Sequence, residues 1–172
     1  MSNEAATRRI EAPVTACPGH PQLRLRLPDG WAVSEVPLAT FAIHARHEVD
    51  GFWVHALFDV AKVAPHVDLG RVADATLARL TRQDPAATVE MERNGRFGER
   101  AVLLRGVSAT LGTPPRATTQ LHALVLAPPT AGRTVTDLVT VVGSCPSERA
   151  EDHIPLMIEV IASLEFLPSS DR

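Results

Sequence analysis

Seven histidines are the side chains with the widest chemical range in this sequence. His44 and His47 have the HxxH spacing of a metal-ligand pair, but on a strand that spacing points the two rings to opposite faces. His44, His55 and His122 share one sheet face if their strands are neighbours. Because zinc needs three or four converging ligands, this set defines a metal-dependent hydrolase as one hypothesis. Surface or half-buried histidines are the simpler interpretation, and we expect no metal site.

A second candidate centre is the run Gly143-Ser144-Cys145. It lies at a predicted strand-to-helix junction but lacks the G-x-S-x-G pattern that exposes a serine nucleophile. Cys145 beside a histidine in space would be a thiol catalyst, whereas a capping or core cysteine is the simpler interpretation. No G-x-G-x-x-G follows a predicted strand and no phosphate-binding loop is present, so no cofactor is expected. We therefore predict no catalytic residues and no enzymatic activity.

The residues that suit binding lie on two predicted strands. One phase of the strand predicted over residues 52–63 is wholly apolar from 52 to 60, and the other phase is mixed. The mixed phase and a neighbouring strand of the same sheet combine an aromatic ring, two imidazoles and two aliphatic groups: Trp53, His55, Leu57, His122 and Leu124. Apolar contact with one or two orienting polar groups is typical of a site for an amphipathic ligand or a partner's side chain. Ordinary half-buried packing is the alternative interpretation for Trp53.

The elements that must position these residues follow from hydrophobic periodicity. A period of two predicts strands over 23–27, 31–36, 40–46, 52–63, 88–93, 100–109, 117–127 and 134–143. A helical period follows Asp68, a fair N-cap, and ends at Asp84-Pro85. A closing helix places Leu156, Val160, Ile161 and Leu164 inward. The order predicts an α+β fold: a mostly antiparallel sheet of about 6–8 strands with an inserted helix and a C-terminal helix.

Length and composition set the organisation. At 172 residues and 18.5 kDa the chain suits one domain, which we place at 21–167 after a flexible lead-in at 1–20 and before a tail at 168–172. A net charge of -3 and a pI of about 6.1 argue against a nucleic-acid partner.

Targeting signals are also lacking in the sequence. No run of about 18 apolar residues is present, so no membrane span is expected. No signal-peptide core precedes Cys17, so a cytoplasmic location is expected. Cys17 and Cys145 are far apart in sequence; two separate thiols and an exported disulfide remain alternatives.

Three short runs resemble one protein family: LPDGW at 27–31, GRFGERA at 95–101 and IASLEF at 161–166. Together with the element order, they resemble the LpqN/LpqT-type proteins of actinobacteria, over about residues 22–167. Those proteins share the PsbP-like fold with DcrB-like proteins, a yeast Ran-binding import factor and chaperones for type VI secretion effectors. The resemblance implies a non-catalytic α/β/α sandwich that binds a protein or a small apolar ligand. Lipid anchoring does not transfer, because the sequence lacks a lipobox.

The expected function is therefore a binding or scaffold role, for a small apolar or amphipathic ligand or for a protein partner. The resemblance and the arginine-rich, lysine-poor composition link it to the cell envelope or to secretion in a GC-rich bacterium. One alternative is a chaperone or adaptor of a secretion system that acts as a homodimer through its sheet. The histidine-based hydrolase is the second alternative.

Overall fold

Ten antiparallel strands and two α-helices form the part of the chain that the structure, a computed structural model, describes: residues 7–12 and 20–167. The first strands are β1 (Thr7–Ala12), β2 (Leu23–Pro28), β3 (Trp31–Ser34), β4 (Phe41–Ala45) and β5 (His55–Val63). Next come α1 (Leu69–Thr81), β6 (Thr88–Phe97), β7 (Arg100–Leu111), β8 (Arg116–Leu126) and β9 (Thr136–Pro146). A 3₁₀ turn (Ser147–Arg149), α2 (Ala150–Ala162) and β10 (Glu165–Phe166) complete the order.

The strands form two sheets. The large one has seven strands in the order β3-β4-β5-β9-β8-β7-β6, and the small one has three, in the order β1-β2-β10. Every pairing is antiparallel. The predicted α+β class and a main sheet of 6–8 strands are confirmed.

The apolar phase of β5 packs against α2 and the small sheet. Ala56, Phe58 and Val60 share one core with the α2 residues Met157 and Ile161 and with the leucines of β2. Phe58 stacks on Phe41 of β4 with 4.6 Å between the ring centroids. This side of the large sheet, which we call the α2 face, is therefore the main core.

Helix α1 packs on part of the opposite side, which we call the α1 face. Its predicted N-cap is confirmed, because the Asp68 carboxylate accepts the N–H groups of Gly70 and Arg71 at 2.9 and 3.3 Å. Ala73 packs with leucines of β7, β8 and β9, and Leu80 packs with Val107 and Ala109 of β7. Because α1 lies mainly on β7 and β8, part of the α1 face of β4, β5 and β9 is left uncovered.

One buried cation ties α1 to the sheet. Arg105 of β7 makes ion pairs with Asp74 of α1 and Glu92 of β6 at 2.8 and 2.5 Å. Arg105 is itself buried, so its two carboxylate partners compensate the loss of hydration. Together with the apolar packing of Ala73 and Leu80, this pairing helps to hold α1 over β7.

Three sequence expectations need correction. Within the predicted flexible lead-in, residues 7–12 form β1, because β2 supplies an antiparallel partner that local sequence does not reveal. The strand predicted over residues 52–63 is β5, and it begins at His55 rather than at residue 52, since Val49 and Phe52 pair with each other across the turn. In α2 the inward position predicted for Leu156 belongs to Met157, which is buried together with Val160 and Ile161, while Leu156 is only half-buried.

Candidate functional site

A polar row crosses the uncovered part of the α1 face. His44, His55, Ser144 and Gln120 are direct cross-strand partners in turn, on β4, β5, β9 and β8. Directly opposed residues share one face of a sheet, so all four side chains lie on the same side. The adjacent row carries Leu57, Val142 and His122 in the same way.

A groove of about 680 Å³ lies over the inner end of this row. Its lining includes His55, Ser144 and Gln120 of the polar row, together with the turn before β5 and the hairpin between β7 and β8. These two connections supply apolar and aromatic groups: Phe52, Leu111, Pro114 and Pro115. The groove therefore joins neutral polar groups from the sheet to apolar groups from the loops.

Arg116 fixes the two connections relative to each other. Its guanidinium donates to the Asp50 carbonyl and to the Glu148 carboxylate, and it lies 5.9 Å from the centroid of the Phe52 ring. The Phe52 ring in turn stacks on His55 with an interplanar angle of 15°. Arg116 thus stabilises the groove wall, and its charge is already paired with Glu148.

The outer histidine of the row is fully engaged by the protein. His44 Nδ1 lies 2.8 Å from its neighbour's carbonyl, that of Ala45, and its Nε2 lies 2.8 Å from Ser34 Oγ. Because a carbonyl can only accept, Nδ1 carries the proton and Nε2 accepts from the serine hydroxyl. The Trp53 ring meets the His44 ring edge-on at 5.7 Å. His44 is therefore a support for Trp53 rather than an open ligand.

A buried hydrogen-bond relay runs from His122 to the groove. His122 Nε2 lies 2.8 Å from Gln120 Oε1, and Gln120 Nε2 donates to Ser144 Oγ at 3.2 Å. Burial, followed by the charge of Arg105, lowers the pKa of His122 to about 4. The imidazole is consequently neutral at physiological pH and acts as a fixed hydrogen-bonding group.

The five predicted site residues do not form one surface. Trp53 (47% exposed), His55 and Leu57 lie on the uncovered part of the face. Leu124 is buried against Ala73 of α1, so it does not line an open site. His122 is 2% exposed and reaches the groove only through Gln120. Helix α1 covers Leu124, and its position depends on tertiary contacts that the alternation of residues in the strand does not reveal.

Sequence reasoning missed the roles of Ser144, Gln120 and the β7–β8 hairpin in the site. In the sequence, Ser144 suggests only a nucleophile, and the glycine and prolines of residues 112–115 indicate only a connection between two strands. The available signal was the mixed phase of β8, where Gln120 and His122 are spaced by two. That spacing places both side chains on one face but does not say which loop covers them.

The three histidines of the hydrolase hypothesis do not converge. His44 and His55 are direct partners, but His122 lies in the next row, on the far side of β9, and its Nε2 is bonded to Gln120. Over residues 7–12 and 20–167 no group of three His, Cys, Asp or Glu side chains has the geometry of a metal site. No helix in this same part of the chain is long and apolar enough to cross a membrane.

Cys145 lacks the features of a thiol catalyst. Its side chain is fully buried on the α2 face, and its Sγ donates to the Thr119 carbonyl at 3.7 Å. Burial, and secondarily the charge of Glu148, raises the pKa of the thiol to about 11. Because the thiolate is the nucleophilic form, this raised pKa disfavours a catalytic role for Cys145. Cys17 lies outside the described residues.

A second hollow, of about 380 Å³, lies between β2 and the end of α2. Ser163 is among its polar lining groups, but its hydroxyl already donates to the Val160 carbonyl and accepts the Arg26 N–H. Because the Ser163 hydroxyl already bonds to the backbone, the hollow has fewer free polar groups for binding a ligand than the groove over the polar row.

Comparison with known proteins identifies the fold. No family model and no curated protein matches the sequence. Among solved structures, LpqN of Mycobacterium tuberculosis, involved in cell envelope biogenesis, is similar with a TM-score of 0.69 and 14% identity, covering 96% of this chain and 93% of that one. Cyanobacterial PsbP of Synechocystis has a TM-score of 0.58, 13% identity and coverage of 95% and 94%. The Ran-binding protein Mog1p of Saccharomyces cerevisiae has a TM-score of 0.57, 12% identity and coverage of 96% and 98%.

The layers described above define an α+β sandwich, with a large antiparallel sheet between α1 on one side and α2 with a small sheet on the other. This is the PsbP-like fold. The fold expected from the sequence resemblance is confirmed.

Proposed function

We propose that this protein is a non-catalytic binding protein that holds a small amphipathic ligand in the groove over the polar row. The observation that carries the proposal is the composition of the groove, about 680 Å³ with a floor of His55, Ser144 and Gln120. The apolar groups of its walls come from Phe52 and the β7–β8 hairpin. Such a concave site with a few convergent polar groups is typical of small-ligand binding.

The position of Ser144 supports a role without catalysis. Ser144 lies inside β9, between β5 and β8, where the backbone N–H groups are committed to the sheet ladders. A serine nucleophile needs free donors beside it to stabilise an oxyanion, and a central strand does not provide them. The Ser144 hydroxyl also accepts from Gln120 rather than donating to a histidine base. These features favour recognition over acyl transfer.

The structural neighbours are consistent with binding. The yeast neighbour is a Ran-binding protein, and LpqN is involved in cell envelope biogenesis. In a second variant of the proposal the ligand is a protein partner. Trp53 and Leu57, which lie beside the groove, would then form the contact with it. A link to the envelope or to secretion, and a cytoplasmic location, stay predictions from sequence.

The proposal is tested by titrating the full chain with N-phenyl-1-naphthylamine, a neutral apolar fluorophore. We expect saturable 1:1 binding that Thr113→Trp abolishes, because Thr113 is exposed and lines the groove. Thr130→Trp makes the same change on an exposed loop outside the groove and should leave binding intact. Absence of saturable binding to the wild type would overturn the small-ligand proposal.

The non-catalytic part has its own test. We expect no turnover of p-nitrophenyl esters above the rate of the Ser144→Ala variant. Reproducible turnover that Ser144→Ala or His55→Phe abolishes would contradict it.

The dimeric chaperone alternative depends on the two edge strands of the large sheet, the four-residue β3 and the longer β6. A very short edge strand such as β3 offers little for pairing with a second copy. In the described residues β6 pairs only with β7. Its register shifts between Val89 and Met91, and the strand carries Glu90, Glu92, Arg93 and Arg96. A bulge and charges on an edge strand are devices that prevent edge-to-edge pairing. Light scattering should therefore show a monomer, and a stable dimer would favour the alternative.

A further inference from the structure

The hydrogen-bonding state of His55 is set by a backbone carbonyl. His55 Nδ1 lies 2.7 Å from the Trp53 carbonyl oxygen, which can only accept, so Nδ1 carries the proton of the neutral ring. The other nitrogen, Nε2, then presents a lone pair. No hydrogen bond joins Nε2 to any group of the described residues, and His55 lines the groove. His55 thus offers an acceptor to a ligand.

Ser144 offers the complementary donor. Its Oγ accepts from Gln120 Nε2, and Gln120 Oε1 accepts from His122 Nε2–H. Arg105 lies directly across from His122, and its positive charge favours a lone pair over an N–H at the unpartnered, buried Nδ1 of that ring. Each group of the relay therefore donates to the next one in the direction from His122 to Ser144. The Ser144 hydroxyl proton has no acceptor among the described groups and is the terminal donor at the groove.

The local charge disfavours an anionic ligand. Asp50 and Arg116 are the charged residues that line the groove, and Glu148 pairs with Arg116. The charges of the two lining residues cancel, so the rim has no surplus of positive charge that would attract an anion. Arg116 is already committed to Glu148 and to the Asp50 carbonyl, so it does not supply a free cation.

From this donor and acceptor we infer that the groove recognises an uncharged amide group on an apolar ligand. Ser144 and His55 are direct cross-strand partners, so one amide can accept from the serine hydroxyl through its carbonyl and donate its N–H to His55 Nε2. The apolar part of the ligand then packs on Phe52 and the prolines of the β7–β8 hairpin. This inference rests on the proposed binding function and names its ligand class.

Three probes of similar size test it: 3-phenylpropanamide, methyl 3-phenylpropanoate and 3-phenylpropanoate, which present an amide, an acceptor alone and an anion. Each is titrated into the full chain at neutral pH, followed by NMR. We expect the amide to bind about fivefold to tenfold more tightly than the ester, the effect of one added hydrogen bond, and more tightly than the anion. His55→Phe should remove this preference, because only the amide has an N–H to donate to His55. Ser144→Ala should weaken the amide and the ester alike, since both accept through a carbonyl, and Ser144→Thr, which keeps a hydroxyl, should bind both as the wild type does.

His66→Phe is the matched control for His55→Phe, because His66 is exposed and does not line the groove. It should leave the preference unchanged. Equal binding of amide and ester, or tightest binding of the anion, overturns the amide inference while leaving the groove as a binding site. Absence of binding by all three probes and by the naphthylamine fluorophore overturns both proposals.

Discussion

Met157 of α2 occupies the space that a Cβ atom on Gly143 of β9 would fill. This contact brings α2 against the centre of the large sheet, beside Ala56 of β5. An alanine at position 143 would force the buried Met157 side chain to move within a packed core. We expect Gly143→Ala to destabilise the protein by about 1–3 kcal/mol, measured by urea unfolding.

A double-mutant cycle with Met157→Ala checks this cause. Removing the Met157 side chain creates a cavity of its own, but it should also make the added methyl group at position 143 nearly harmless. Additive effects of the two substitutions would show that the contact does not limit the approach of α2.

Trp53 and Phe58 lie on opposite faces of the same chain segment, and we expect unequal effects of their truncation. Phe58 is fully buried and stacked on Phe41, so Phe58→Ala should cost about 3–5 kcal/mol. Trp53 is about half exposed and its ring contacts His44, so Trp53→Ala should cost about 1 kcal/mol. Thermal melts compare the two variants. If Trp53→Ala is the more damaging, Trp53 is a core residue and its surface is not a docking site.

His122 makes stability depend on pH. Its pKa is lowered from 6.5 to about 4 in the folded protein, so between these values the unfolded chain binds a proton that the native state does not. Stability from this residue is therefore fully present above pH 6.5 and is lost as pH falls towards 4, by about 3 kcal/mol in total.

The measurement is the free energy of unfolding at a series of pH values for the wild type and for His122→Gln, which retains a donor to Gln120. The variant should show a shallower decline on the acid side. His66→Gln, at an exposed position, should follow the wild type, and equal slopes for wild type and His122→Gln would contradict the assignment to His122.

Cys145 should be unreactive in the native protein. Burial, with the charge of Glu148, raises its thiol pKa to about 11, so almost no thiolate forms at mildly alkaline pH. In a Cys17→Ser background we expect no reaction with Ellman's reagent until guanidinium chloride unfolds the chain. Rapid labelling of the native form would show that the β9 strand end opens to solvent.

The sequence by itself determined the class of the fold and most of its elements. Alternation over 23–27 and over 52–60 separates apolar from mixed phases, and this local pattern needs no knowledge of partners. Asp68 at the N-cap and Pro85 after the helix set the extent of α1 in the same local way. The resemblance added the sandwich arrangement, which the two-sided packing of the sheet confirms.

Only the tertiary structure decided which part of the mixed face is open. Leu124 and Leu57 read alike in sequence, but α1 lies on Leu124 and not on Leu57, and Arg105 helps to hold α1 there through Asp74. Likewise, Ser144 lies in the floor of the groove because β9 is paired between β5 and β8. Strand order and helix placement depend on contacts between residues distant in the chain, and such contacts leave no periodic trace in the local sequence.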